Sequence, residues 1–264
     1  MHVQFDMDKK GYWFGEYFPE LMVKSVRKFF PDSNIIQCTN NETEKVSGVD
    51  RVFRFDGDTN YLATFRLDAF SALDLKVPAV YLDTDMIILK KFTIDDLLKG
   101  FDVILLERVF DCENKLNINL RDMNMLEYKG KTVYEVWPYI GCFQICRTSD
   151  FWKKCSENLK TLDIKYQKWM GEQETSRNVI ANSIFKHSTV KESEYACVPK
   201  YLHLNNSIPK ILHFKGMKKE LMLYTDFLLN RKEEFMDYIE SNPHFEGKTK
   251  ELMEYTNILL NKYE

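Results

Sequence analysis

The sequence predicts an α/β layer fold with a largely parallel sheet flanked by helices. Segments of strand and helix character alternate through roughly the first 110 residues, as expected of strands joined by crossover helices. The apolar run from Val77 to Leu89 is interrupted by two carboxylates one residue apart, Asp83 and Asp85. Its length of 264 residues and 44% hydrophobic content are enough for a substantial core.

Taken in order, His2 to Phe5 reads as a short strand. Tyr17 to Phe30 reads as a helix with Phe18, Leu21, Met22, Ser25, Val26 and Phe29 on one side, stopped by Pro31. Asn34 to Thr39 and Arg51 to Phe55 are short apolar strands, the first ended by Asn40-Asn41. Leu62 to Leu75 is a second helix, with Phe65, Ala69, Ala72 and Leu73 inward. The Asp83/Asp85 strand follows, then a strand from Asp102 to Leu106. Phe110 to Lys131 is polar and expected as loop with a short helix. Val136 to Arg147, around Gly141, reads as a buried strand region. Phe151 to Met170 and Gly171 to Ile184 read as helices. From Lys219 onward the chain reads as helices with Leu221, Met222, Phe227, Leu228, Phe235, Tyr238 and Ile239 as apolar positions, punctuated by Pro243 and Gly247.

The net charge of −3 argues against a general nucleic-acid binder. Six cysteines (38, 112, 142, 146, 155 and 197) form no CxxC and no zinc-type cluster, so free thiols in a reducing cytosol are expected. The start, Met1-His2-Val3-Gln4-Phe5-Asp6, has no apolar core of a signal peptide. No apolar run approaches the ~20 residues that span a bilayer. A cytoplasmic location follows, with peripheral membrane contact left open.

Asp83 and Asp85 stand where an apolar strand leaves the sheet, the edge at which open α/β sheets bind ligands. Buried carboxylates need compensation. A hard divalent cation provides it, taking oxygen ligands and leaving positions for phosphate oxygens and water.

At Tyr81-Leu82-Asp83-Thr84-Asp85-Met86 the chain resembles the DxD motif of GT-A glycosyltransferases, which use nucleotide-diphosphate sugars. The upstream Phe65-Arg66-Leu67-Asp68-Ala69-Phe70 resembles the Arg-containing helix that precedes the motif in relatives of glycogenin, of bacterial lipopolysaccharide galactosyltransferases and of the mannosyltransferase families with a DxD sugar-binding region. Ile211-Leu212-His213-Phe214-Lys215-Gly216-Met217-Lys218-Lys219 is similar to their His-x-x-Gly-x-x-Lys element, although the Pro-Trp often found after the Lys is replaced by Glu220-Leu221. Gly171-Glu172-Gln173 resembles their Asp-Gln pair beside the transferred sugar, with Glu172 in the Asp place. Trp137 to Ile145 resembles a sugar-lining strand only at Gly141; Trp137 and Tyr139 read more simply as core aromatics.

The resemblance implies a GT-A type, Rossmann-like mixed sheet, mostly parallel, with a catalytic domain over residues 1–219 and a helical extension over 220–264. It implies Mn²⁺ or Mg²⁺ on Asp83, Asp85 and His213, with Asp83 on the metal or on ribose and sugar hydroxyls. It places Arg66, Asp83, Thr39, Gly216 and Lys219 on the nucleotide sugar, UDP-hexose by default, and Glu172 and Gln173 beside the sugar. Asn40, Asp6 and Asp8 are further base and ribose candidates.

Physical chemistry agrees in part. Imidazole suits Mn²⁺, glycine permits close approach to phosphate, and the ammonium groups of Lys215, Lys218 and Lys219 offset charge on a leaving diphosphate. The implied activity is hexosyl transfer to a carbohydrate, lipid-linked or protein acceptor. Retention is favoured; inversion would need Glu172 or Glu174 as the base. Two other readings stay open: a catalytically idle nucleotide-sugar-binding or interaction protein, and a DxD phosphatase of the haloacid-dehalogenase type.

Overall fold

The computed structural model describes residues 2–4, 18–120, 123–182, 184–215, 221–222, 225 and 254–259. In chain order the elements are β1 (His2–Gln4), α1 (Phe18–Phe29), β2 (Ile36–Thr39), β3 (Arg51–Arg54), α2 (Leu62–Ala72), β4 (Ala79–Leu82), β5 (Met86–Ile88), α3 (Ile94–Leu97) and β6 (Val103–Glu107). Then come α4 (Val133–Val136), β7 (Tyr139–Cys146), α5 (Asp150–Leu159), α6 (Ile164–Lys168), α7 (Gly171–Asn182), β8 (His187–Lys191), α8 (Glu192–Tyr195) and β9 (Ile211–His213). The class is mixed α/β. The helices expected beyond Lys219, with Phe227, Leu228, Phe235 and Tyr238, fall largely outside the described residues. Among the described residues no helix is long and apolar enough to cross a membrane.

The chain divides into two compact units. The first comprises Met1–Met7, Asn34–Asp83 and Phe92–Glu192; the second comprises Asp8–Ser33, Thr84–Lys91 and Ser193–Glu264. The division falls between Asp83 and Thr84, inside the carboxylate motif.

The first unit holds two sheets. One is parallel, in the order β1-β2-β3. The other runs β4-β7-β6-β8, with β7 antiparallel to β4 and to β6, and β6 parallel to β8. The long connection between β6 and β8, which includes α5, α6 and α7, permits their parallel pairing. Orientation of β7 was not legible, because a buried apolar strand reads the same in either direction. Between Leu105 and Leu106 the β6–β7 register jumps, from Leu105↔Gln144 to Leu106↔Ile140.

The core of this unit is built on α2, whose Ala63, Phe65, Leu67, Ala69 and Phe70 are buried. It packs on α5, α6 and α7, and Phe70 contacts the rings of Tyr81 and Trp152. Ala72, expected inward, is exposed. The single helix expected over residues 151–170 is two. Its interruption centres on Asp163, whose carboxylate accepts from the Lys165 N–H (3.0 Å) and starts α6.

In the second unit β5 pairs antiparallel with β9. There α1 packs on β5, and Ser25 Oγ accepts the Ile88 N–H at 3.1 Å. Met22, Val23, Met86, Ile87, Ile88, Ile211, Leu212 and Phe214 are buried.

Candidate active site

In the first unit β4 ends at Leu82, and the Asp83 N–H continues the ladder by donating to the Cys142 carbonyl (3.0 Å). The two-residue period of a strand puts Tyr81 and Asp83 on one face. The Tyr81 hydroxyl donates to Asp83 Oδ1. Arg66, from α2, has Nη2 3.8 Å from the same oxygen, while Nη1 donates to Glu172 Oε1 at 2.7 Å. The guanidinium also lies 5.5 Å from the Tyr81 ring centroid. Side-chain exposures of 15%, 24% and 12% for Arg66, Asp83 and Glu172 put these ion pairs in a screened-from-water setting, where charge-assisted bonds count for more than at a surface. Burial pushes the Tyr81 phenol well up, with further upward pressure from Asp83 and Glu172 and a downward pull from Arg66.

Glu172 reaches Arg66 because α7 begins against α2. A Cβ on Gly171 would stand 2.3 Å from the Tyr166 carbonyl oxygen and 2.9 Å from Ala63 Cβ, so only glycine fits. Met170 turns the chain into the helix with φ of 60°, an uncommon conformation outside glycine. A Cβ on Gly141 would come within 3.2 Å of Glu172 Cβ, so the one position that matched the sugar-lining strand backs onto Glu172.

The next two side chains go elsewhere. Gln173 Oε1 accepts from Arg108 Nη2 (2.9 Å) and Gln173 Nε2 donates to Met170 Sδ (2.9 Å). Glu174 is buried and accepts from Trp137 Nε1 (2.9 Å), from the Tyr128 hydroxyl (2.9 Å) and from Arg177. Glu174 was one of two candidates for a general base. Its carboxylate is instead the anchor of a buried network, because Trp137 and Tyr128 need an acceptor there.

The second unit brings Asp85 and His213 together through the backbone. Met86 faces His213 in the β5–β9 ladder, and the Phe214 N–H donates to the Asp85 carbonyl (2.8 Å). The His213 N–H donates to the Cys197 carbonyl (3.0 Å). Across this frame His213 Nε2 lies 3.2 Å from Asp85 Oδ1, with side-chain exposures of 5% and 13%. Lys215, half-buried, follows. Gly216, Lys218 and Lys219 lie outside the described residues, as do Asp6 and Asp8.

Thr39 ends β2 with 0% exposure, and its carbonyl accepts the Phe55 N–H (2.9 Å). Asn40 caps the following turn, its Oδ1 accepting from Thr43 N–H (2.9 Å) and Thr43 Oγ1 (2.6 Å). Arg54 Nη1 ties the same turn down at the carbonyls of Asn40 (2.7 Å), Asn41 and Thr43. Trp137 is a buried core aromatic, as expected, and Tyr139 is partly buried.

Two residues escaped sequence reasoning. Cys142 brings its thiol within 4.8 Å of an Asp83 carboxylate oxygen; only the β4–β7 register, Leu82↔Phe143, reveals this. Arg108 stands just past the strand expected from Asp102 to Leu106, with nothing nearby in the sequence to mark its contact with Gln173.

No protein-family model matches the sequence, and no curated protein matches it. Among solved structures, a glycosyltransferase involved in glycosylating the major capsid of PBCV-1 is similar at 9% identity and TM-score 0.48, over 84% of this chain and 96% of that one. The galactosyltransferase LgtC, in complex with donor and acceptor sugar analogues, is similar at 15% identity and TM-score 0.48, over 94% and 98%. A nucleoside-diphosphate-sugar pyrophosphorylase from Vibrio cholerae is similar at 10% identity and TM-score 0.46, over 81% and 87%. At these TM-scores nothing is carried over from them to this chain.

Proposed function

We propose that the chain is a metal-dependent glycosyltransferase, moving a hexose from a nucleotide-diphosphate sugar, UDP-hexose first, to a hydroxyl acceptor with retention. The observation that carries this is the Asp85–His213 pair. Two residues 128 positions apart, singled out by the DxD resemblance and by the His-x-x-Gly-x-x-Lys resemblance, sit 3.2 Å apart and largely shielded from water.

The donor set fits the metal. A carboxylate oxygen and an imidazole nitrogen together suit Mn²⁺, and Mg²⁺ accepts the oxygen more readily than the nitrogen. When bound, the cation supplies Lewis-acid stabilisation of the departing diphosphate. Asp85 and His213 hold it. Asp83 keeps the two roles that the DxD reading allows: metal ligand, or acceptor for ribose and sugar hydroxyls. Arg66 orients Asp83 and Glu172 through its guanidinium. Glu172 and Gln173 line the sugar, and Gly216 and Lys219 contact the diphosphate by resemblance. Retention rests on the same resemblance. Residues 1–219 are read as the catalytic domain and 220–264 as a helical extension.

The test is nucleotide release from a panel of nucleotide sugars, with Mn²⁺ and with chelator. Release should depend on metal and fall by about 10²-fold or more in Asp85→Ala, the scale of losing one electrostatic stabiliser of a transition state. Unchanged release in Asp85→Ala would refute the metal role; no release from any donor would refute the transferase. NMR of the product's anomeric configuration at first turnover reads retention, and an inverted product excludes it.

A further inference from the structure

We propose that Arg108 is a positioning residue that fixes the Gln173 carboxamide, so that Gln173 meets the transferred sugar as an N–H donor and not as a nucleophile. This rests on the glycosyl-transfer reading above and says how one of its residues works.

Arg108 follows the last residue of β6 and is held at two points before it touches Gln173. Its backbone N–H donates to the Pro138 carbonyl (2.8 Å) and its Nε to the Trp137 carbonyl (3.0 Å). Trp137 is itself fixed, buried with its indole N–H on Glu174 Oε2 at 2.9 Å. The guanidinium is therefore oriented by the chain around it, and its Nη2 reaches Gln173 Oε1 at 2.9 Å.

A guanidinium can only donate, so the oxygen of the carboxamide must face it and the nitrogen must point away. At the other end Gln173 Nε2 donates to Met170 Sδ (2.9 Å), the side chain of the residue whose left-handed backbone precedes α7. Nε2 carries two hydrogens; one goes to the thioether, and the second meets no acceptor among the described residues, which leaves it for a ligand oxygen. The hydrogen bond from a cation draws electron density from Oε1. That weakens the oxygen as a nucleophile and strengthens the remaining N–H as a donor. A hydrogen bond aimed at a sugar oxygen helps the reaction where negative charge grows as the glycosidic bond breaks.

Steady-state kinetics of the full chain with the donor found in the panel test this. Arg108→Met should lower kcat by about tenfold, the scale of losing an orienting partner, with KM for the donor and Tm little changed. Arg108→Lys should restore part of the loss. If Arg108→Met does not fold, Arg108→Lys against the native chain is read in its place, with the same sign. Gln173→Glu keeps the acceptor and removes both N–H donors; it should lower kcat by about 10²-fold and show no hexosyl adduct in the intact mass. Full kcat in the Arg108 variant overturns the inference, as does a Gln173→Glu chain that turns over normally or accumulates a hexosyl adduct. A native chain without turnover refutes the transfer reading and this inference with it. A native chain with turnover and an unaffected Arg108 variant refutes this inference alone.

Discussion

In the first unit, Asp83, Glu172 and Glu174 are held by side chains: Tyr81 and Arg66 for the first, Arg66 for the second, and Trp137, Tyr128 and Arg177 for the third. In the second unit, Asp85 and His213 are brought together by a backbone ladder, with Met86 opposite His213 and the Phe214 N–H on the Asp85 carbonyl. The two arrangements respond differently to substitution. A carboxylate held by side chains cannot be removed without stranding its partners. One presented by a ladder can be exchanged while the backbone frame persists, at the cost of its contact with His213.

Substitutions can break or sharpen this contrast. The largest effect is expected for Glu174→Leu, which strands the buried Trp137 and Tyr128 donors and leaves Arg177 unpaired at that site; urea unfolding should show a loss of about 3 kcal/mol. Gly171→Ala should follow with about 2 kcal/mol, because its methyl meets backbone that cannot yield. Asp85→Asn keeps the ladder and should cost about 1 kcal/mol. It should also abolish any rise in Tm that Mn²⁺ gives the native chain. A loss for Asp85→Asn as large as that for Glu174→Leu would erase the contrast.

The smallest effect at neutral pH concerns the thiols of the first unit. Burial pushes Cys38 and Cys155 up from an ordinary 9.0 to about 12, and pushes Cys146 well up also. A folded-state value above the unfolded one gives stability that is complete below pH 9 and lost as pH rises through the folded value. The urea midpoint should therefore be level in this respect up to pH 9 and decline from there to pH 12. Cys155→Ala should make the decline shallower; an unchanged slope would mean that this thiol does not titrate with unfolding.

Much of the fold was legible because apolar spacing alone marks α1, β2, β3, α2, β4 and β6. Strand direction was not, since Tyr139 to Cys146 would read identically in a parallel ladder. The break in the helix after Leu159 was hidden because Leu159, Leu162 and Tyr166 keep helical spacing through it, although Asp163 before Ile164 is a readable N-cap. Of the candidate site, Asp85 and His213 were singled out through motifs, while their 3.2 Å separation depends on the β5–β9 register. Arg108 was illegible because its partner Gln173 is 65 residues away, and an arginine at a strand end is what solvent exposure alone would also produce.

The register jump in β6–β7 has a consequence for how β7 is written. One step along β6, from Leu105 to Leu106, is matched by four along β7, from Gln144 to Ile140. Side chains alternate with a period of two, so an odd step opposite an even one cannot keep the two strands in phase. The stretch Gly141-Cys142 must absorb the half-period. Tyr139 and Ile140 thus follow one alternation and Phe143 to Cys146 the other. Deleting a single residue within that stretch would set an odd step opposite an odd one, so regular alternation would carry both halves of the strand in phase with β6.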